Sequence, residues 1–303
     1  MRTLFVAPLA VSLLLLSGCR TLQAERAPER PAAAAAAADT PPPHDLLNAV
    51  VWFQTSAEHA QVYRQVYRAA TAQLDAALAD PDWDALPRGE RSGSVRGLKP
   101  AIIVDIDETV LDNAPYSARQ VRDNGGFTPA GWDAWVQQPL HGRPGARALP
   151  GAVEFAQAAG QRGIPIYFIS NRDASSAEAT LLALHQAGFV LAPEQFLGRG
   201  TPTPGCASDN ADDKHCRRAM VARDHRILML MGDQLSDFLS QTGTPAERRA
   251  LADSYADWFG QRWWMLPNPM YGSWENATWA GQPGKPTPEE KRAAKRGALD
   301  TTP

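Results

Sequence analysis

Apolar and polar positions recur with two different periods along this chain, and the change of period divides it. From Asp45 to Leu78, Leu46, Val50, Phe53, Ala57, Ala60 and Val62 fall near one side of a helix. Tyr63, Val66, Tyr67, Ala70 and Leu74 continue that stripe. Spacing of three and four residues puts one helical face against a core. Pro81, Pro87 and Gly89 then break the pattern. Short apolar runs follow: Ala101 to Val104, Ile164 to Ile169, Ile227 to Met231 and Trp263 to Leu266. Unalternated apolar runs of this length predict strands buried on both faces. Stretches of helical period separate them, at Ala152 to Gln161, Ala174 to Gln186 and Pro245 to Trp258. The alternation predicts an α/β fold, a three-layer Rossmann-like core with a parallel sheet. Ligands of such sheets sit beyond the carboxyl ends of the strands, and that is where the polar signatures of this chain lie. No internal repeat is present.

The two ends of the chain read differently. Arg2 precedes a short apolar run, Leu4 to Leu16, which leads into Leu16-Ser17-Gly18-Cys19. The run is too short for a permanent membrane span and predicts a signal segment over 1–18. Cysteine after Ser-Gly resembles a bacterial lipobox, which implies lipidation of Cys19 and a membrane anchor made of acyl chains. Arg20 in the next position, by the same resemblance, favours the outer membrane of the cell envelope. Residues 19–43 are rich in Ala, Pro, Glu and Arg, a composition not expected to bury a core, and predict a flexible tether. An N-terminal helical segment is expected over 44–98, the main domain over 99–283, and a solvated polar tail over 284–303.

Composition narrows the function classes. The chain has 303 residues, a formal net charge of -3 and 44% hydrophobic residues, values of a globular protein with a core. Without a basic face it is not expected to bind a nucleic-acid polymer. A homo-oligomer is compatible with the sequence. Besides Cys19, Cys206 and Cys216 remain, in a segment rich in Gly, Ser, Asn and Asp. An oxidising envelope permits a disulfide between them. Free thiols, or a metal site with His215, are the alternatives, although that ligand spacing is poor for zinc.

The chemistry concentrates at three strand ends. After the first comes Asp105-Ile106-Asp107-Glu108-Thr109. Extension of the strand would place Asp105 and Asp107 on one side, because side chains repeat every two residues. Adjacent carboxylates repel, and a divalent cation such as Mg2+ relieves the repulsion while binding phosphate oxygens. One carboxylate can attack phosphorus, and the other can protonate the leaving oxygen and later activate water. After the second strand comes Ser170-Asn171-Arg172, whose hydroxyl and amides suit phosphoryl oxygens. After the third comes Gly232-Asp233-Gln234-Leu235-Ser236-Asp237, where Asp233 can complete a metal site and Asp237 can orient it.

This order of signatures resembles the haloacid-dehalogenase-like superfamily. Within it, the chain is similar to the bacterial class C acid phosphatases, including the outer-membrane lipoprotein e 5'-nucleotidases. The likeness rests on Asp105 to Tyr116, Ile169 to Asp173, Gly232 to Phe238, Pro267 to Gly272 and Asn48 to Glu58, and spans roughly Leu46 to Trp279. It implies a smaller, mainly helical cap beside the core, and a small-molecule phosphomonoester as substrate. It implies Asp105 as nucleophile and Asp107 as acid and base, with the Asp107 backbone carbonyl on Mg2+. Asp233 becomes the third metal anchor, with Asp237 its neighbour. Ser170 becomes the phosphoryl-binding hydroxyl and Lys214 the neutralising lysine; Lys99 and Lys285 do not lie between the second and third strand signatures. Asn171, Arg172 and Tyr116 join the substrate-binding set, and Trp132 and Tyr271 are the aromatic pair for a base or nicotinamide ring. Nucleoside 5'-monophosphates, nicotinamide mononucleotide and aryl phosphates are the implied substrates. An acid at position 107 separates phosphatases from dehalogenases, whose halide leaves without a proton. The opposing class is an envelope binding lipoprotein, for haem as an example, with a vestigial site. The complete aspartate set and the lack of an axial-ligand motif speak against it.

Overall fold

The computed structural model describes residues 43–208, 210–240 and 243–302. The expected signal segment, Cys19 and the tether up to residue 42 lie outside the described residues. The first apolar run forms β1 (Lys99–Val104), the central strand of a five-stranded sheet. β4 (Ile166–Asp173) and β6 (His225–Gly232) flank it, and β5 (Phe196–Arg199) and β7 (Trp263–Met265) form the edges. Every pair in this sheet is parallel. Val104 lies opposite both Phe168 and Met231, so Asp105, Ser170 and Asp233 each stand one or two residues beyond a common level of the sheet. Asp105, Ser170 and Asp233 therefore emerge side by side.

Alternation along β1 divides the core between two faces. Ile102 and Val104 join one cluster with Tyr63, Tyr67 and Leu74 of α2 (Ala57–Ala79) and Phe155 of α5 (Ala152–Gln161). Ala101 and Ile103 join the other with Val221 of α7 (His215–Ala222), Phe238 and Trp263. α6 (Ala177–Gln186) covers the first face, and α8 (Pro245–Asp253) packs Leu251 against the second. The aromatic run near Trp258 is core, since Tyr255 stacks on Trp263 at 4.5 Å between ring centres.

Several elements differ from expectation. The long N-terminal helix is two helices, α1 (Leu47–Thr55) and α2, because Ser56 is extended and its hydroxyl accepts from the His59 amide at 3.1 Å. The stretch from Ala174 starts as a 3-10 turn before α6, and the helix expected from Pro245 to Trp258 stops at Asp253. β5 had no sequence expectation. Its Gly198 admits no side chain, as a Cβ there would lie 2.8 Å from the Arg172 carbonyl oxygen. Between the two-stranded ribbon of β2 (Leu111–Asp112) and β3 (Arg147–Ala148) lie α3 (Ala114–Arg122) and α4 (Pro129–Val136), a small helical region. After β7 come the short α9 (Ser273–Asn276) and then α10 (Pro288–Gly297), within the expected polar tail. A capping box starts α10, with Thr287 Oγ1 accepting from the Glu290 amide at 3.2 Å. No helix among the described residues is long and apolar enough to cross a membrane.

Candidate active site

Asp105 stands one residue past β1, where its amide donates to the Met231 carbonyl at 2.9 Å. The chain then turns instead of extending, as the amides of Val110 and Leu111 both donate to the Ile106 carbonyl at 2.9 Å. Glu108 carries this turn at φ 56°, a left-handed backbone that few side chains adopt. Two tyrosines of α2 hold it from below: Tyr63 donates to the Glu108 carbonyl and Tyr67 to that of Thr109, the latter at 2.7 Å. The Glu108 carboxylate accepts from the Asn113 amide at 2.7 Å and is fully buried. Burial, and then the charges of Asp107 and Asp233, push its pKa well above the usual range.

The turn sends the two aspartates to different partners, which corrects the expectation of one shared strand side. Asp105 faces Asp233 and Asp237; oxygens of the three carboxylates all lie within 4.8 Å of one another. Thr109 Oγ1 bridges Asp105 and Asp233 at 3.4 and 3.3 Å. Asp233 also accepts from Gln234 Nε2 at 2.7 Å and Asn268 Nδ2 at 2.8 Å. A 3-10 turn at Leu235–Asp237 folds Asp237 back until its carboxylate accepts from the Gln234 amide at 2.8 Å. Gly232 permits this return, because a Cβ there would come within 2.3 Å of Asp237.

Lys214 caps the N-terminus of α7 and is buried beside these acids. Its Nζ donates to Asp105 and, at 2.6 Å, to Asp237. Lys99, by contrast, starts β1, at the end of the strand away from Asp105. Burial disfavours the Lys214 charge, but Asp105 and Asp237 outweigh it and raise the pKa. Burial likewise pushes Asp105 well above the carboxylate range, opposed by Lys214 and reinforced by Asp237, Asp233 and Asp107. Asp233 is raised to about 7 by burial and then by Asp237. Three clustered carboxylates against one ammonium leave an excess of negative charge, and their oxygen donors suit a hard divalent cation.

The Asp107 carboxylate stands outside that cluster. Arg172 grips it with Nη2 at 2.7 Å and Nε at 3.0 Å, and Asn113 Nδ2 donates at 2.8 Å. Ser170 Oγ lies 3.4 Å from Asp107 and accepts from the Arg172 amide at 3.1 Å. Arg172 thus binds an enzyme carboxylate, and both Arg172 and Asn171 also line the cleft that Asp105 opens into. Asn171 is also engaged within the protein: Nδ2 donates to the Asp212 carbonyl at 3.0 Å, and Oδ1 accepts from Arg217 at 2.7 Å.

Asp105, Asp107, Lys214 and Asp233 open into a cleft of about 1010 Å³. Tyr116 and Trp132 reach it from α3 and α4, packed edge to face at 5.3 Å, and Tyr271 reaches it from the segment after β7. Phe127, 65% exposed, also lines the cleft and escaped sequence reasoning. Its available signal was an apolar aromatic just after Gly125-Gly126. Trp135 instead donates to Asn113 Oδ1 at 2.8 Å. A disulfide joins Cys206 to Cys216, and His215 Nε2 lies 3.4 and 3.2 Å from the two sulfurs. With the sulfurs bonded, the trio is not a thiolate metal site.

A parallel α/β sheet with a carboxylate cluster and a buried lysine at its central strand ends defines a class, that of acidic sites suited to a divalent cation. The family itself follows from comparison. The model described as HAD superfamily, subfamily IIIB (Acid phosphatase) matches residues 19–274, and the chain belongs to that family. The class C acid phosphatase from Bacillus anthracis has a similar structure, at 32% identity and a TM-score of 0.71 over 85% of this chain and 98% of that one. A second structure of that enzyme, with tungstate bound, matches with 32% identity, the same coverage and a TM-score of 0.70. Acid phosphatase 1 of Solanum lycopersicum is 28% identical over 56% of this chain and 57% of its own length. The stem 31 kDa glycoprotein of Glycine max is 28% identical over 56% of this chain and 58% of its own. The chain thus spans a little over half the length of these two plant relatives.

Proposed function

We propose that this protein is a Mg2+-dependent acid phosphatase that hydrolyses phosphomonoesters through an aspartyl phosphate on Asp105. The observation that carries the reading is the buried Asp105 carboxylate, bonded to Lys214 and within 4.8 Å of Asp233 and Asp237. Asp105, Asp233 and the Asp107 backbone carbonyl would hold the ion, with Asp237 beside them. When bound, Mg2+ neutralises phosphate charge and polarises the phosphorus centre. Asp105 Oδ attacks phosphorus, the P–O bond to the alcohol breaks, and Asp107 gives the leaving oxygen its proton. Asp107, now a carboxylate, takes a proton from water as that water attacks the phosphoryl group, and Asp105 is released with inorganic phosphate. The grip of Arg172 and Asn113 matches this second, basic form of Asp107. Lys214 offsets charge on Asp105 and the transferring group, and Ser170 Oγ donates to a phosphoryl oxygen. Tungstate is a tetrahedral oxyanion like phosphate, so its binding by the Bacillus anthracis relative supports a phosphate-like ligand for this chain.

The aromatic rim of Phe127, Trp132, Tyr116 and Tyr271 supports substrates with a flat ring, such as nucleoside 5'-monophosphates, nicotinamide mononucleotide or aryl phosphates. The sequence around Cys19 supports an acyl anchor to the envelope membrane. The function is tested by phosphate release from a panel of monoesters with Mg2+ and with EDTA. Release that needs the ion and falls by at least about 10⁴-fold in Asp105→Asn is expected. Wild-type turnover by that variant would end the nucleophile assignment.

A further inference from the structure

The C-terminal helix α10 lies beyond residues 19–274, over which the family model matches. It is nevertheless fastened to the body of the protein. Arg292 Nε binds Asp45 at 3.0 Å, and Lys295 Nζ binds Asp45 and Glu275, each at 3.0 Å. Those two cations are neutralised at the helix's own contact surface. Lys291, one position before Arg292, is placed differently. It is half-buried, it lines the same cleft as Asp105, and its Nζ lies 5.2 Å from the centre of the Trp279 ring. Among the described residues no carboxylate lies within ion-pair distance of it.

The other cations in the cleft are engaged. Lys214 serves Asp105 and Asp237, Arg172 serves Asp107, and Asp212 is paired with Arg199 at 3.1 Å. Glu275, the nearest acid of the same wall in sequence, is held by Lys295. The cleft of about 1010 Å³ is at the upper end of small-molecule sites, which run to about 1,000 Å³. It holds more than a phosphoryl group and one ring.

We propose that Lys291 of α10 is a subsite for a second anionic group of the substrate, remote from the phosphate that is cleaved. This rests on the reading of Asp105 as the nucleophile of a phosphomonoesterase. Ion pairs on α10 fix the helix, the Trp279 face holds the Lys291 ammonium by a cation–π contact, and the ammonium meets the distal anion. The favoured substrates are then monoesters that carry a further phosphate or carboxylate, with nucleoside 3',5'-bisphosphates as the probe.

The test compares adenosine 3',5'-bisphosphate with adenosine 5'-monophosphate. In the wild type kcat/KM is expected to favour the bisphosphate, and K291M should lower that preference about fivefold to tenfold while K291R keeps it. The change should appear chiefly in KM, since Lys291 does not touch the reacting atoms. An identical preference in K291M and wild type, with both proteins melting at the same temperature, overturns the subsite. Calorimetric binding of the two nucleotides to D105N and to D105N/K291M separates this from the chemistry. Loss of bisphosphate affinity in the double variant supports the subsite even if turnover is absent, and equal affinities overturn it even if turnover is high.

Discussion

The floor of the cleft and its rim are built in opposite ways. On the floor, Asp105, Lys214, Asp233 and Asp237 are buried, and each is held by two or more named hydrogen bonds. At the rim, Phe127 is largely exposed, Trp132 and Tyr271 are half-buried, and Trp132 packs edge to face on Tyr116. Burial is costly for charge, so the floor is stable only as a balanced group of acids, lysine and cation. Aromatic faces carry no such constraint and accept any flat ring. The contrast teaches that the reaction is specified by the floor, and the choice among substrates by the rim.

Changes to the floor should therefore act on kcat, and changes to the rim on KM. After Asp105→Asn, the largest effect is expected for Lys214→Met, about 10²- to 10³-fold in kcat, because a preorganised charge at the phosphoryl group is lost. Steady-state kinetics at saturating Mg2+ checks it, and a change confined to KM would move Lys214 from floor to rim. Next is the Cys206–Cys216 disulfide, which joins a rim loop to the helix that carries Lys214 at its N-terminus. Its removal in C206S/C216S should cost roughly 2–3 kcal/mol in denaturant unfolding, and should lower kcat more than it raises KM.

A smaller effect is expected for Trp132→Ala. Loss of one stacking face should raise KM for nucleoside monophosphates about tenfold and leave KM for a small alkyl phosphate nearly unchanged. An equal rise for both substrates would show that Trp132 supports the cap instead of the ring. The mildest effect lies beneath the floor, at His59, which packs on Phe53 at 3.9 Å and Tyr63 at 4.6 Å. Burial lowers its pKa from 6.5 to about 4. The unfolded chain binds this proton more readily, so the stability it contributes is full above pH 6.5 and drains away as pH falls towards 4. His59→Phe should flatten the melting temperature across that window, whereas an unchanged slope would place the acid sensitivity elsewhere.

Much of the floor was legible because its residues sit where strand ends must be. Asp105, Ser170 and Asp233 follow apolar runs that register as parallel neighbours, and Gly232 marks the tight return of Asp237. Lys214 was legible by its place between the second and third strands, although its contacts depend on a helix with no strong apolar period. The turn at Glu108 was not legible, nor was the diversion of Asp107 to Arg172 and Asn113. Those follow from φ at one residue and from tyrosines of α2, more than forty positions earlier in the chain. β5 was missed because Gly198, needed for close backbone approach, interrupts an apolar run of only two residues. Lys291 looked like part of a solvated tail, and only the pairing of its neighbours with Asp45 and Glu275 sets it apart.

Every expectation for the floor depends on phosphoryl transfer through Asp105. Rapid acid quench during turnover of a slow aryl phosphate, followed by peptide mass spectrometry, tests it most directly. One added phosphoryl group is expected on the peptide containing Asp105, lost on treatment with hydroxylamine and absent in Asp105→Asn. Turnover with no such adduct, or with the phosphoryl group on another residue, would contradict it.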